Sequence, residues 1–131
     1  MTTELANISS GALSSLLHGE GGLIPRPFAS TILLLDTFVT GTFFVKGVES
    51  LVEKLQSGVR LELRREPANR YDKYAILVND PEGNKLGYIP RKNNIVLANL
   101  MDAGKSVYAK LTRKNSHYSS VDLGISVFME D

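Results

Sequence analysis

The sequence predicts a mainly β fold, a small OB-like or SH3-like barrel of six strands with two short helices. Segments in which apolar and polar residues alternate with a period of two outnumber the segments with a helical period. The connections between them are short and rich in turn residues, and no series of βαβ units is present. Closing such a sheet into a barrel removes exposed strand edges.

Six segments are rich in β-branched residues or alternate between apolar and polar side chains. In VRLELRRE, the side chains of Val59, Leu61 and Leu63 face one way and the charged side chains face the other. In NDPEGNK, Pro and Gly stand where a hairpin turn needs them. The segment RKNSHYSS, residues 113–120, is predicted as a polar loop. The predicted strands are residues 31–44 with a break at Gly41, 59–66, 74–78, 85–90, 106–112 and 121–129.

Two segments change to helical spacing. In residues 49–56 the apolar side chains share one helical face, and Gly58 is a plausible stop. Residues 94–103 form the second predicted helix, with Asn93 or Asn94 as the cap and Gly104 at the end. The predicted order is therefore β-α-β-β-β-α-β-β.

Length and composition fit one domain, since the chain has 131 residues and 43% of them are hydrophobic. Residues 1–30 are predicted to be an N-terminal extension, because GEGG and two prolines form a linker pattern. Residues 31–131 are predicted to be the barrel domain. No apolar run reaches the ~20 residues that cross a bilayer. The N-terminus also lacks the pattern of a signal peptide, so a cytoplasmic protein without membrane contact is expected.

The sequence contains no pattern typical of an enzyme or of a metal site. Cysteine is absent, and His18 and His117 lack metal-ligand spacing, so neither a metal nor a cofactor is expected. Walker, Ser-His-Asp and HExxH patterns are missing, so no catalytic activity is expected. Residues 46–131 hold 14 Lys and Arg against 11 Asp and Glu. This mild surplus of positive charge allows a few phosphate contacts rather than a long basic surface that follows a nucleic-acid backbone.

The most informative segments are LRREPANRYDKYAILV, residues 63–78, and NKLGYIPRKNN, residues 84–94. Aromatic rings interleaved with guanidinium groups are the composition that holds unpaired nucleotides. A structural role also fits, in which residues 67–69 form only a turn, Asp72 anchors it and Tyr88 packs in the barrel. The polar and aromatic residues at these strand ends are Tyr71, Tyr88, Asp72, Arg64, Arg65, Arg70, Arg91 and Lys92.

These two segments resemble the HIRAN domain family, in its stand-alone bacterial type. The family pattern is a Gly with paired aromatics, then Arg-Asp/Glu-Pro-x-Asn-x-Tyr-Asp-x-x-Ala-Ile, then Gly followed by an aromatic or His and a basic residue. The resemblance runs from about residue 38 to residue 127. The matching residues are Gly41, Phe43, Phe44, Arg65, Glu66, Pro67, Asn69, Tyr71, Asp72, Ala75, Ile76, Gly87, Tyr88 and Arg91.

The resemblance implies a modified OB-like barrel that binds the 3′ end of single-stranded DNA in DNA repair or processing. By position, Asp72 would accept a hydrogen bond from the terminal 3′-hydroxyl. Tyr71 and Tyr88 would pack the last bases, Asn69 would shape or line the pocket, and Arg91 would meet a phosphate. The full set that the resemblance implies for DNA binding is Phe43, Phe44, Asn69, Tyr71, Asp72, Tyr88, Arg91 and Lys92.

The chain departs from the family pattern at two points. Helicase-associated members carry a basic residue before the aromatic pair, where this chain has Thr42. Their pair is commonly Tyr-Tyr, whereas Phe43 and Phe44 lack both hydroxyls. Weaker binding than in the eukaryotic members, or a different ligand, is therefore expected. Candidates to replace the missing phosphate contact are Arg64, Arg70 and Lys92.

Two alternatives stay open. The barrel could be a protein-interaction module whose aromatic residues anchor a peptide. It could also be the recognition subunit of a larger DNA-processing enzyme, with a separately encoded helicase or nuclease as its partner. In either case the domain itself would not need to bind DNA.

Overall fold

A computed structural model describes residues 30–117 and 120–130 of the chain. The predicted N-terminal extension lies outside the described residues, apart from its last residue, Ser30. Among the described residues, no helix is long and apolar enough to cross a membrane.

Six antiparallel strands and two helices make up the described structure. The strands are β1 Thr31–Phe38, β2 Arg60–Arg65, β3 Ile76–Asn79, β4 Lys85–Tyr88, β5 Ser106–His117 and β6 Ser120–Glu130. The helices are α1 Val48–Glu53 and α2 Arg91–Asp102, and a 3-10 turn covers Thr42–Phe44. The strands form one curled sheet, a half-barrel, in the order β1-β6-β5-β2-β3-β4. The predicted fold class, mainly β with six strands and two short helices, is confirmed.

The core lies inside the curl of the sheet. In β2, Leu61 and Leu63 are buried while the charged residues between them are exposed, as the alternation predicts. Val52 of α1 and Leu97 of α2 bury their side chains against the same cluster. Full burial of such a side chain stabilises the fold by about 1.5–3 kcal/mol. The apolar side chains pack inside the curl. The polar side chains that could bind a ligand therefore lie at the strand ends and in the connecting turns.

One antiparallel bridge joins the two edges of the sheet. The N–H of Thr40 donates to the carbonyl of Tyr88 at 2.7 Å, and the N–H of Tyr88 donates to the carbonyl of Thr40 at 2.8 Å. A Cβ on the neighbouring Gly87 would lie 2.3 Å from the Thr40 carbonyl oxygen. Only glycine allows this approach, so Gly87 is what permits the bridge.

The first predicted strand is too long. β1 ends at Phe38, whereas the sequence predicted a strand to residue 44. Gly41 adopts φ 76°, a left-handed conformation that turns the chain into the 3-10 turn. The hydroxyl of Thr42 then donates to the carbonyl of Val121 at 3.0 Å, which fixes this turn against β6.

The predicted polar loop at residues 113–120 is also wrong for the residues that are described there. Strand pairing continues along this segment, from Arg113 opposite Gly124 to His117 opposite Ser120. Its polar residues misled the prediction because this hairpin arm is largely exposed. The ammonium group of Lys114 donates to three carbonyls near the end of α1, at 2.5–3.3 Å. The carbonyls at the C-terminal end of a helix carry partial negative charge and therefore favour a cation.

The predicted boundaries of both helices and of the third strand need correction. α1 covers Val48–Glu53 rather than residues 49–56, and α2 begins at Arg91 rather than at residue 94. Pro90 is the cap of α2, and neither asparagine caps it. Their side chains bond to other elements instead, because the hydroxyl of Thr37 donates to Asn93 and the amide of Asn94 donates to Asp72. β3 begins at Ile76 rather than at residue 74.

Replacing Gly87 with alanine is expected to open the bridge between the sheet edges. The added methyl group overlaps the Thr40 carbonyl, and such overpacking costs about 1–3 kcal/mol of the free energy of unfolding. Hydrogen exchange should show loss of protection at the amides of Thr40 and Tyr88. Gly83→Ala is the matched control, because a Cβ there meets no atom within 4 Å although its φ of 90° adds local strain. Unchanged protection of both amides in Gly87→Ala would contradict this role of Gly87.

Candidate nucleic-acid interface

A pocket of about 490 Å³ opens between the turn after β2, the end of β4 and the first turn of α2. The structure brings together in its lining six of the residues singled out for DNA binding. They are Phe44, Asn69, Tyr71, Asp72, Tyr88 and Arg91. Phe43 and Lys92 do not line the pocket. The DNA-binding role of all eight stays a prediction.

The side chain of Asn69 builds the turn that forms one wall. Its Oδ1 accepts hydrogen bonds from the backbone N–H groups of Tyr71, at 2.9 Å, and Asp72, at 3.1 Å. Its Nδ2 donates to Oε1 of Glu66 at 3.1 Å. An asparagine side chain that bonds its own backbone in this way is typical of tight turns. Asn69 therefore shapes the pocket and sets the positions of the two residues that follow it.

Asp72 is held by hydrogen bonds to both oxygens, and its side chain is 18% exposed. Oδ1 accepts from the N–H of Tyr74 at 2.9 Å, and Oδ2 accepts from Nδ2 of Asn94 at 2.8 Å. Burial works to raise the pKa of Asp72, but these hydrogen bonds and the charges of Arg91 and Arg65 outweigh it, so the pKa lies below 3.8. Asp72 is thus ionised at neutral pH. Each oxygen has two lone pairs and keeps capacity to accept a further hydrogen bond.

Tyr88 is fixed at its backbone and at its hydroxyl. The hydroxyl donates to Oε1 of Glu66 at 2.8 Å. Burial, together with the bond to Glu66, raises the pKa of Tyr88 above its ordinary value of 10.0. The ammonium group of Lys85 lies 4.7 Å from the ring centroid. Tyr88 therefore presents a neutral, oriented ring to the pocket.

Tyr71 and Arg91 form the exposed rim. The Tyr71 residue is 78% exposed, and the side chain of Arg91 is 73% exposed. Arg91 donates to the carbonyl of Tyr71 at 3.1 Å, and its Nε lies 3.7 Å from Oδ2 of Asp72. A guanidinium group has five N–H donors, so most of its donors remain open to an anion at the mouth.

The paired aromatics project from the 3-10 turn. Phe43 is 76% exposed and Phe44 is 86% exposed, with ring centroids 5.5 Å apart in an edge-to-face arrangement. Lys92 lies apart from the pocket, with its ammonium group 5.4 Å from the ring centroid of Phe38. Two exposed phenylalanine rings on a fixed turn form an apolar surface that a ligand in the pocket could cover.

Four lining residues were not singled out for DNA binding: Thr40, Ala75, Ile89 and Asn94. Ala75 and Ile89 are buried apolar positions, and Ala75 matched the family pattern without a role in binding being implied for it. Asn94 carried a signal, because it shares the buried face of α2 with Leu97 and Ala98. A polar side chain at a core position needs a hydrogen-bond partner, and that partner is Asp72.

The carboxylates of Asp72 and Glu66 are used in hydrogen bonds within the protein. Among residues 30–117 and 120–130, no three His, Cys, Asp or Glu side chains group closely enough to hold a metal ion. The expectation that the protein uses no metal and no cofactor stays a prediction.

A larger groove, of about 750 Å³, lies on the outer face of β2 and β5. Two of its arginines are paired with carboxylates of the protein. Arg65 binds Asp102 at 2.9 Å, and Arg60 lies 3.8 Å from Glu130. The guanidinium of Arg60 also covers the ring of Tyr108 at 3.7 Å. The smaller pocket, with exposed aromatic rings and a carboxylate that keeps open lone pairs, is therefore the better candidate site.

Comparison with known proteins identifies the family. The model of the HIRAN domain matches residues 32–130. The chain belongs to the HIRAN domain family. Family membership, which the resemblance implied, is thereby confirmed. The helicase-like transcription factor of Oryctolagus cuniculus is 35% identical over 80 residues, which are 60% of this chain and 8% of that protein.

Solved structures of HIRAN and related proteins share the fold. A crystal structure of a protein from Lactobacillus plantarum matches with a TM-score of 0.73 and 29% identity, and covers 79% of this chain and 98% of that one. The HIRAN domain of human HLTF matches with a TM-score of 0.58 in its crystal structure and 0.53 in its DNA-bound conformation. Both are 24% identical and cover 76% of this chain and 79% of theirs. At that identity they show the shared fold.

Removal of the Asp72 carboxylate is expected to destabilise the domain in a pH-dependent way. Asp72→Ala should lower the free energy of unfolding at neutral pH by about 2 kcal/mol, because hydrogen bonds to a charged group are lost. The folded-state pKa is lowered. The stabilisation is therefore present above the unfolded-state pKa of about 3.9 and is lost as the pH falls through the folded-state pKa.

Urea denaturation at a series of pH values measures this difference. The gap between wild type and Asp72→Ala should stay constant near neutral pH and shrink in acid. Asp122→Ala, at an exposed carboxylate on β6, controls for the loss of one negative charge. A gap that is independent of pH would show that the charge on Asp72 does not stabilise the turn.

Proposed function

We propose that the pocket binds the 3′-terminal nucleotide of single-stranded DNA and recognises a free 3′-hydroxyl through Asp72. One observation carries the proposal: an ionised carboxylate with open lone pairs lies in the wall of a pocket lined by aromatic rings. A carboxylate only accepts hydrogen bonds, so it favours a hydroxyl donor. It also repels the charge of a 3′-phosphate.

The size and the rim of the pocket support a short stretch of single strand as the ligand. Its volume of about 490 Å³ falls in the range of small-ligand sites, roughly 300–1,000 Å³. The exposed rings of Tyr71 and Phe44 can stack on bases without regard to sequence. Arg91 supplies an exposed cation for a phosphate at the mouth.

DNA as the ligand class is also supported by the family. The HIRAN domain of human HLTF has a DNA-bound conformation, and this chain shares its fold. The pocket residues of this chain then suggest which part of DNA is bound. A duplex would not place a base against an exposed ring, whereas an unpaired end can.

We place the domain in DNA repair or processing, as the part that recognises the strand end. The rabbit relative is a helicase-like transcription factor, and the matching segment is 8% of it. The sequence of this chain shows no motor or nuclease motif of its own. By analogy with this relative, we propose a separately encoded helicase or nuclease as the partner.

A protein-binding role is the second candidate, and the aromatic pair favours it. Phe43 and Phe44 are highly exposed, carry no hydroxyl groups and follow the uncharged Thr42. Such rings could anchor an apolar peptide. A salt titration separates the two candidates, because DNA binding weakens with added salt while an apolar peptide groove barely responds.

Replacing Asp72 with asparagine is expected to abolish discrimination at the DNA terminus. Asparagine keeps one oxygen to accept from the N–H of Tyr74. It removes the charge and replaces the oxygen that accepts from Asn94 with an NH₂ group. An oligonucleotide with a 3′-hydroxyl should bind more weakly by about 1–3 kcal/mol, the range for losing a hydrogen bond to a charged group. The 3′-phosphate form should then bind about as well as the hydroxyl form.

Fluorescence anisotropy with labelled oligonucleotides that differ only at the 3′ end measures both affinities. Asp122→Asn on β6 is the control for charge. If wild type binds both termini equally, Asp72 only anchors the turn and recognition of the 3′ end is excluded.

Arg91→Ala is expected to weaken the binding of both the 3′-hydroxyl and the 3′-phosphate oligonucleotide, and to make that binding less dependent on salt. The slope of log K against log salt is negative, and loss of one phosphate contact reduces its magnitude by about 0.7 for single strands. The control is Arg64→Ala. The sequence offered Arg64 as a phosphate contact, but this exposed arginine lines the outer groove and not the pocket, so its loss should leave the slope unchanged. Equal slopes for Arg91→Ala and wild type would show that Arg91 meets no phosphate.

A further inference from the structure

Asn94 is a buried polar residue beside the proposed terminus site. It is 2% exposed and lies on the face of α2 that buries Leu97 and Ala98. Burying a carboxamide is unfavourable unless its polar atoms are bonded. One bond is present, because Nδ2 donates to Oδ2 of Asp72 at 2.8 Å.

That bond fixes which way the Asn94 carboxamide faces. An ionised carboxylate can only accept, so the NH₂ group must face Asp72 and the carbonyl oxygen must face away from it. No described residue donates to this oxygen. In the described part of the chain, the side-chain polar atom that is both sealed from solvent and unpartnered is Oδ1 of Asn79. Oδ1 of Asn94 is not among the sealed and unpartnered atoms of the described residues, and Asn94 lines the pocket.

We propose that Asn94 is a specificity-determining residue of the pocket, whose carbonyl oxygen forms with Asp72 a pair of hydrogen-bond acceptors for the 3′ terminus. This inference rests on the proposed function and deepens it. The chemical class of ligand becomes a strand end that carries hydrogen-bond donors. Asn94 also acts through Asp72, because its amide orients the carboxylate.

A pair of acceptors predicts an order of preference among termini. A 3′-hydroxyl supplies one donor, whereas a protonated 3′-amino group supplies three and adds a positive charge beside Asp72. A 3′-deoxy end supplies none, and a 3′-phosphate adds negative charge. At slightly acidic pH the amino form should bind most tightly, then the hydroxyl form, and the deoxy and phosphate forms least.

The binding test compares wild type with Asn94→Ala and Asn93→Ala. Asn93 is the matched control, because it is the neighbouring residue of the same helix and its side chain accepts from Thr37 rather than lining the pocket. Asn94→Ala should reduce the preference for the amino end over the deoxy end by about tenfold, the loss of one hydrogen bond to a charged group. Asn93→Ala should leave it within about twofold. Asn94→Leu, which restores apolar burial, should behave like Asn94→Ala and covers the case in which alanine unfolds the domain.

A second readout needs no DNA. The amide of Asn94 helps to lower the pKa of Asp72, so Asn94→Ala should raise that pKa in an NMR titration and Asn93→Ala should not. If the pKa rises while the preference among termini is unchanged, Asn94 has only a structural role and the inference is overturned. An unchanged pKa also overturns it. If wild type itself binds all four termini equally, it is the proposed function that fails.

Discussion

The bridge between Thr40 and Tyr88 is the contact on which the site depends. It joins the two edges of the curled sheet at one point, through hydrogen bonds of 2.7 and 2.8 Å. On one side the chain turns at Gly41 and presents the two phenylalanines; on the other, Tyr88 leads into α2. The Thr40 carbonyl can lie this close to the backbone of residue 87 because Gly87 has no Cβ. A backbone contact between residues 48 positions apart thus brings three separate segments to one pocket.

Anchoring the turn and binding a ligand are not competing roles for Asp72. The hydrogen bonds from Tyr74 and Asn94 hold the carboxylate in place and keep its pKa low, so its charge is available at the pocket wall. Fixed orientation of a charged acceptor reduces the reorganisation needed on binding. The same carboxylate therefore holds the turn and, on the proposed function, selects which donors fit beside it.

The sequence was sufficient for the fold because period-two patterns and turn residues are local signals. Strand number, both helices and the hairpin at residues 79–85 follow from them, but the end of β1 does not. The left-handed turn at Gly41 is stabilised by Thr42 bonding Val121, 79 positions away. The site was harder to predict from the sequence, because it also depends on contacts between distant residues. Motif residues pointed to the turn after β2, whereas Asn94 and Glu66 act through partners 22 residues away, which no local pattern reveals.

Thr42 also explains how this chain differs from helicase-associated members of the family. Those members carry a basic residue before the aromatic pair, but here residue 42 is only 7% exposed and its hydroxyl holds the 3-10 turn to β6. A cation cannot occupy such a site without losing hydration. Arg91 supplies a cation in the lining of the pocket, to which Phe44, a residue that is 86% exposed, also contributes. On the proposed function, this shifts the forces that hold a ligand from phosphate contacts toward desolvation and stacking of aromatic surface, which salt does not screen.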